Sequence, residues 1–282
     1  MLRDWSLGFS FYIREINRRI MKIKLLLLTL VFGLTTVFAN PPAKKRILVY
    51  TKNGKGYVHK NIAASVEALK KIGEENKLIV DVSDDPAVMI AENLAKYSCL
   101  VFSNTNNEIF DTEAQRQAFA AYIHGGGSFV GIHSTSGSER AWPWFTAMVG
   151  GAFKKHPAFQ PFEIKVIDKN HPSTSMLSET WKKEDECYYM EELNPDIQIL
   201  LAADLRTVKD DTKATYPGRI FGDYFPLAWC HEFEGARVFY TALGHDAKDY
   251  ADPVYLKHLE GGILWALGEN PKESHSKKKS RK

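Results

Sequence analysis

GGGSFVGIHSTSG, residues 125–137, is a glycine turn, a short apolar run and then an elbow of small residues. The run SFVGIH (128–133) has the near-continuous apolar character of a strand covered on both faces of a parallel sheet. Gly131 and the small residues after it let the backbone come close to a ligand where the strand ends. Several classes of α/β enzyme place a nucleophilic Cys or Ser on an elbow of this kind. Here the position belongs to His133.

Upstream, the same strand pattern recurs and alternates with helical periodicity. RILVYT (46–51), LIVDVS (78–83) and SCLVFSN (98–104) read as strands. Between the first two, HKNIAASVEALKKIG (59–73) carries Ile62, Val66, Leu69 and Ile72 at helical spacing. A short helix is expected in PAVMIAENLAKY (86–97), and a longer one in TEAQRQAFAAYIHGG (112–126), capped by Asp111 and closed by glycine. Four strand–helix repeats in this order predict an α/β fold, a doubly wound and mostly parallel sheet with right-handed crossovers. Downstream, FEIKVID (162–168), IQILLAAD (197–204), YFPLAWCHEF (224–233) and ARVFYTAL (236–243) read as strands. The last two are joined at Glu234-Gly235 as a hairpin, so an antiparallel extension is expected. PVYLKHLEGGILWALG (253–268) is an amphipathic closing helix. With no linker or internal repeat, residues 40–270 read as a single domain.

The ends of the chain read differently. From Met21, MKIKLLLLTLVFGLTTVFAN has two lysines, an apolar stretch and Val37-Phe38-Ala39 as a cleavage site, so residues 21–39 are expected to be a signal peptide. Residues 1–20 are then upstream read-through, and the mature protein is exported to the periplasm or secreted. The apolar stretch is shorter than the roughly 20 residues of a spanning helix, so the mature chain is not expected to span a membrane. Residues 271–282 are expected to be a basic, flexible tail, which holds several of the basic residues behind the formal net charge of +3. No basic stripe interleaved with aromatics occurs elsewhere, which argues against nucleic-acid binding. Nothing in the composition opposes a homo-oligomer. Cys99, Cys187 and Cys230 match no zinc or disulfide spacing and read as buried free thiols.

In open parallel sheets, ligands bind beyond the carboxyl ends of the strands. Reading outward from those ends gives His59, then Asn104, Asn106 and Asn107, then His133 and Ser134, then Gly244-His245-Asp246. Four segments thus deliver polar or titratable groups to one edge, which is the pattern of a site. In KKEDECYYMEEL (182–193), Glu184, Glu191 and Glu192 read as solvated. Asp185 and Glu186 precede Cys187, Tyr188 and Tyr189, which suggests a loop folded against the body. A carboxylate there can orient a histidine, bind sugar hydroxyls or ligate a metal. His59 also suits a helix cap. His156-Pro157 and His171-Pro172 read as turns, and His124 and His258 as helix positions without function.

GGGSFVGIHS, the two His-Pro dipeptides, DECYY, PLAW (226–229), RVFYTALGHD (237–246) and ILWALG occur in this order over residues 46–268. Together they resemble the trehalose-utilisation, or ThuA-like, family. That resemblance implies the class I glutamine amidotransferase-like (flavodoxin-like) fold, with His133 at the nucleophile elbow and His245-Asp246 in the later catalytic segment. Amide transfer needs a thiolate activated by histidine, and this elbow has no thiol, so glutaminase activity is not expected. The resemblance also implies carbohydrate metabolism. The expected function is an enzyme acting on a disaccharide, glycoside or 3-keto-glycoside by histidine-based acid/base chemistry. His133, His245, Asp185 and Glu186 are the catalytic candidates. His59, Asn104, Asn106, Ser134, Tyr188 and Trp142 are the substrate-binding ones. A second chemistry has His59, His133, His245 and Asp185 or Glu186 holding a divalent metal as cofactor, but no HxH or HExxH spacing supports it. The alternative function is a non-catalytic carbohydrate-binding or assembly domain.

Overall fold

Tyr50, Ser103, Ile132 and Thr241 end four parallel strands that stop at one edge, and that edge determines where polar loops meet. The computed structural model describes residues 45–212 and 222–269. The proposed read-through (1–20), signal peptide (21–39) and basic tail (271–282) lie outside the described residues.

In chain order the elements are β1 Arg46–Tyr50, α1 Ile62–Glu75, β2 Ile79–Ser83, α2 Ala91–Leu94, β3 Cys99–Ser103, α3 Glu113–His124 and β4 Ser128–Ile132. A 3-10 turn, His133–Gly137, then leads to α4 Pro143–Val149 and β5 Ala152–Lys155. The extension follows as β6 Gln160–Val166, β7 Thr180–Asp185, β8 Tyr189–Glu191, β9 Gln198–Asp204, β10 Tyr224–Phe233 and β11 Ala236–Thr241, and α5 Pro253–Ala266 closes it. The large sheet runs β2-β1-β3-β4-β11-β10-β9-β6-β7. Its first five strands are parallel and the rest antiparallel. This is the doubly wound, mostly parallel sheet with an antiparallel extension that the strand pattern predicts. β11 returns from the extension to complete the parallel half beside β4.

The register explains how both faces become covered. Phe102, Gly131 and Tyr240 are partners across β3, β4 and β11, so they share one face. Val101, Val130 and Phe239 are partners on the other. On the first face, Phe102 packs with Phe119 of α3 and Phe145 of α4, ring centroids 5.3 and 6.4 Å away. On the second, Gly262 of α5 lies so close to Phe239 that a methyl group there would meet the ring at 2.3 Å. The sheet interior is fully buried, which is why these strands read as apolar runs rather than alternating ones.

Several boundaries differ from the sequence reading for local reasons. α1 starts at Ile62 rather than near His59, because His59 turns away toward the sheet edge and Asn61 precedes the helix. Thr112, not Asp111, caps α3: its hydroxyl accepts from Gln115 N–H, and the Gln115 side chain accepts from Thr112 N–H in return. α4, β5, β7 and β8 lie in stretches whose short or mixed patterns carried no clear period.

Two buried histidines that do not line the cavity at the sheet edge set a pH limit on the fold. His171 bonds Ser173, and His258 bonds the Ser173 carbonyl and the Thr241 hydroxyl. Burial pushes both down to about 4. The unfolded chain therefore binds more protons than the folded one between about pH 6.5 and 4. Stability from these groups is present above that window and is lost as pH falls through it. Each contributes up to about 1.4 kcal/mol per pH unit. Urea unfolding at pH 7 and pH 5 is expected to show the midpoint dropping at pH 5. Replacing His258 with glutamine should reduce that drop, whereas equal drops in the two proteins would contradict the assignment.

A candidate metal centre at the carboxyl edge of the sheet

His133 sits at the end of β4 with φ of 53°, in the left-handed region that non-glycine residues seldom enter. The backbone turns sharply there into the buried 3-10 turn, and Gly131 makes the turn feasible. A Cβ on Gly131 would stand 3.0 Å from the Tyr240 ring and 3.2 Å from the Thr135 methyl. The elbow anticipated from the sequence is thus a strained strand-to-helix corner, and it aims an imidazole where such folds aim a nucleophile.

The ring of His133 is fully buried and its orientation is fixed. Nδ1–H donates to the Ala242 carbonyl at 2.7 Å, and since a carbonyl only accepts, Nε2 carries the lone pair. Four groups crowd that lone pair. His59 Nε2 lies at 3.1 Å, Tyr188 Oη at 2.9 Å, His245 Nδ1 at 3.4 Å and Glu186 Oε2 at 3.5 Å. Glu186 Oε2 is in turn 3.0 Å from His245 Nδ1. The four nitrogen and oxygen atoms of His59, His133, Glu186 and His245 all lie within 4.8 Å of one another.

Burial pushes His133 well below the ordinary histidine range, and His59 down to about 4. Neighbouring imidazoles add to both effects. His245 moves the other way, raised by its hydrogen bond to Glu186. Two imidazoles are therefore held neutral with lone pairs available, beside one carboxylate. That is the donor set of a divalent transition metal. Metal–nitrogen bonds of about 2.1 Å in a tetrahedron place neighbouring ligand atoms about 3.4 Å apart. Four of the six separations, 3.0, 3.1, 3.4 and 3.5 Å, bracket that edge. The four side chains thus gather the donor atoms of a candidate metal site.

The structure sorts the other sequence candidates. A cavity of about 460 Å³ at this edge is lined by His59, Asn106, Ser134, Glu186, Tyr188 and His245 among others. Asn104 does not line it. Its amide bonds Tyr250 and Asn61, and Asn61 holds the Gly244 and His245 carbonyls, so Asn104 braces the loop behind the site. Asp185 is also behind the site. It is fully buried and accepts from the backbone N–H of Glu186, Gly244 and His245 at 2.9, 2.9 and 3.2 Å, with Lys183 at 3.5 Å. Burial pushes its carboxyl up while Lys183 and the N–H groups oppose this. Asp185 is thus placed to hold the Gly244–His245 loop and does not line the cavity.

Trp142 is a correction. It stacks on Trp144 at 5.0 Å and packs with Phe110 and Phe145, away from the cavity. Its spacing from Trp144 and Phe145 reflects one aromatic cluster, and it does not line the cavity. His59 likewise is not a helix cap but a cavity residue.

Sequence reasoning missed His156, Tyr57, Phe153 and Arg140, all lining the cavity. His156 Nε2 stands 3.4 Å from Glu186 Oε1, so its His-Pro dipeptide does more than turn the chain. The acidic segment gave the one usable signal, because Glu186 and Tyr188 lie on the link between β7 and β8 that brings the extension back over the edge.

The three cysteines are buried, and no disulfide forms among the described residues. Burial raises Cys99 above its ordinary value and Cys230 to about 12. Thiolate chemistry is thereby suppressed. The native protein is expected to leave Ellman's reagent unreacted over an hour and to release about three thiols in denaturant. A rapidly reacting native thiol would contradict this.

The fold and site define an amidotransferase-like α/β protein whose elbow bears a histidine instead of a thiol. More specifically, the chain belongs to the trehalose-utilisation (ThuA) family, whose model matches residues 46–266. A ThuA-like protein from Bacteroides uniformis superposes with a TM-score of 0.65 at 21% identity, over 82% of this chain and 96% of that one. One from Parabacteroides merdae superposes with a TM-score of 0.64 at 21% identity, over 82% and 92%. A GMP synthase subunit from Thermoplasma acidophilum follows the same fold with a TM-score of 0.50 at 12% identity, over 80% and 94%. No curated protein matches the sequence significantly. Among the described residues, no helix is long and apolar enough to cross a membrane.

Proposed function

We propose that this chain is an exported enzyme of carbohydrate metabolism that acts on a glycoside or keto-glycoside with a divalent transition metal held by His59, His133, Glu186 and His245. The observation that carries the metal is the lone pair of His133 Nε2, fixed by the Ala242 carbonyl and met by three further donors at tetrahedral-edge distances. This reverses the order of the two chemistries suggested by spacing alone. The ion would polarise a sugar carbonyl or activate water.

The rest of the cavity supports a sugar. Its volume of about 460 Å³ is that of a small-ligand site. Tyr57, Phe153 and Tyr188 offer aromatic faces, and Asn106, Asn107 and Ser134 offer polar contacts to hydroxyls. His156 lines the same cavity 3.4 Å from Glu186 and is placed to carry a proton to or from substrate. The family's association with trehalose utilisation agrees with this reading. Export rests on the Met21–Ala39 pattern in the sequence.

The test is to incubate the protein with disaccharides, glycosides and their 3-keto derivatives, with and without EDTA, and to read products by NMR. Conversion that stops with EDTA and returns with added zinc supports the metal mechanism. Conversion indifferent to EDTA would leave histidine proton transfer alone. No conversion, with sugar-induced shifts in melting temperature, would favour a binding domain.

A further inference from the structure

The cavity is polarised, and the metal cluster does not use its far side. Arg140 lines it, exposed at its mouth, and no carboxylate among the described residues pairs with its guanidinium. Its nearest polar partner is the Asn107 side-chain oxygen, 3.4 Å from Nη1. The guanidinium also lies 5.9 Å from the centre of the Phe153 ring. Gly137 accommodates the group: a Cβ there would stand 2.9 Å from Arg140 Nη2 and 2.7 Å from Asn106 Oδ1.

Ser134, on the same cavity, is 3% exposed, and its hydroxyl is buried without a hydrogen-bond partner among the described residues. A buried polar group left unpaired costs stability unless a ligand satisfies it. The one acidic side chain lining the cavity is Glu186, already engaged with His133 and His245. A guanidinium without a carboxylate partner and two amide side chains therefore line a cavity with one acidic side chain, and the unpaired Ser134 hydroxyl lies buried in its wall.

We infer that Arg140 and Ser134 form a carboxylate subsite, and that the substrate is an acidic sugar such as a uronic-acid glycoside, with its neutral ring toward the histidine cluster. One planar guanidinium matches a carboxylate through two parallel hydrogen bonds, and Ser134 can donate a third. A phosphate or sulfate ester is less well served, because this side holds a single full positive charge among the described residues that line it. The inference deepens the sugar reading of the site and rests on it.

The experiment measures binding by calorimetry, so it does not need turnover. The probes are methyl β-D-glucuronide, methyl β-D-glucoside and glucose 6-phosphate, each titrated into the zinc-supplemented protein and into Arg140→Gln. The glucuronide is expected to bind the wild type at least about 10-fold more tightly than the glucoside, and Arg140→Gln should erase that difference. Glucoside affinity in the variant should stay within about twofold. Arg140→Lys should recover part of the preference. Equal binding of glucuronide and glucoside, tighter binding of the phosphate, or an equal loss for both sugars in Arg140→Gln would overturn the proposal. Glucuronide preference without turnover of any sugar would retain the subsite and sink the enzyme reading, so the two failures are distinguishable.

Discussion

Replacing His133 with alanine is expected to lower turnover by at least about 100-fold and to abolish stoichiometric metal binding while leaving the fold in place. The size of the effect follows from the ring's central position. His133 Nε2 is the atom to which His59, His245, Glu186 and Tyr188 all approach within 3.5 Å. Its removal leaves the remaining donors without a shared centre. The fold should tolerate the loss, because alanine relieves two neutral imidazoles of close contact and Ala242 can bond water entering the vacated space. His124→Ala is the control: that residue lies on α3 and pairs with Glu234, outside the cavity. Turnover of the His133 variant within a few fold of wild type would show that the cluster is not the reactive centre.

The second large effect is on stability. Asp185→Ala is expected to cost about 3–5 kcal/mol, or roughly 10 °C in melting temperature. Three backbone N–H groups would lose their acceptor in a fully buried place. Lys183, also buried, would keep Asp249 at 2.5 Å but lose its second carboxylate. Two of the freed N–H groups belong to Gly244 and His245, so the loop that presents His245 should loosen. Asp185→Asn retains one acceptor oxygen and should recover much of the stability, with turnover within about 10-fold of wild type. A reacting carboxylate would behave differently, since the asparagine variant would then be stable yet inactive. Thermal melts and kinetics on both variants separate the two roles.

How much of this was legible beforehand depended on which physical signal each residue left. Buried parallel strands are apolar throughout, so β1, β3 and β4 were readable within a residue or so, and the elbow at His133 followed from Gly131 and the small residues behind it. His59, Asn106, Ser134 and His245 were placed at one edge by the rule that loops after parallel strands converge, and the cavity gathers them there. The rule has a limit in Asn104, which obeys it yet turns inward to brace Asn61 and Tyr250. His156, Phe153 and Arg140 were invisible for a different reason. Arg140 lies past the elbow, and β5 and its exit carry His156 and Phe153, so strand order alone cannot say that they fold over the cavity. The geometry of the histidine–glutamate cluster was equally hidden, because its four side chains come from four separate segments and leave no spacing motif. Aromatic composition misled at Trp142, where stacking partners were core rings rather than a ligand.

The most direct test of the metal centre is a competitive titration of the EDTA-stripped protein with zinc, read by a chromophoric chelator, alongside Glu186→Gln and His133→Ala. One equivalent should bind the wild type with micromolar or tighter affinity, release protons as His245 gives up its bond to Glu186, and weaken at least about 10-fold in each variant. Millimolar binding that the two variants leave unchanged would show that these four side chains do not hold an ion.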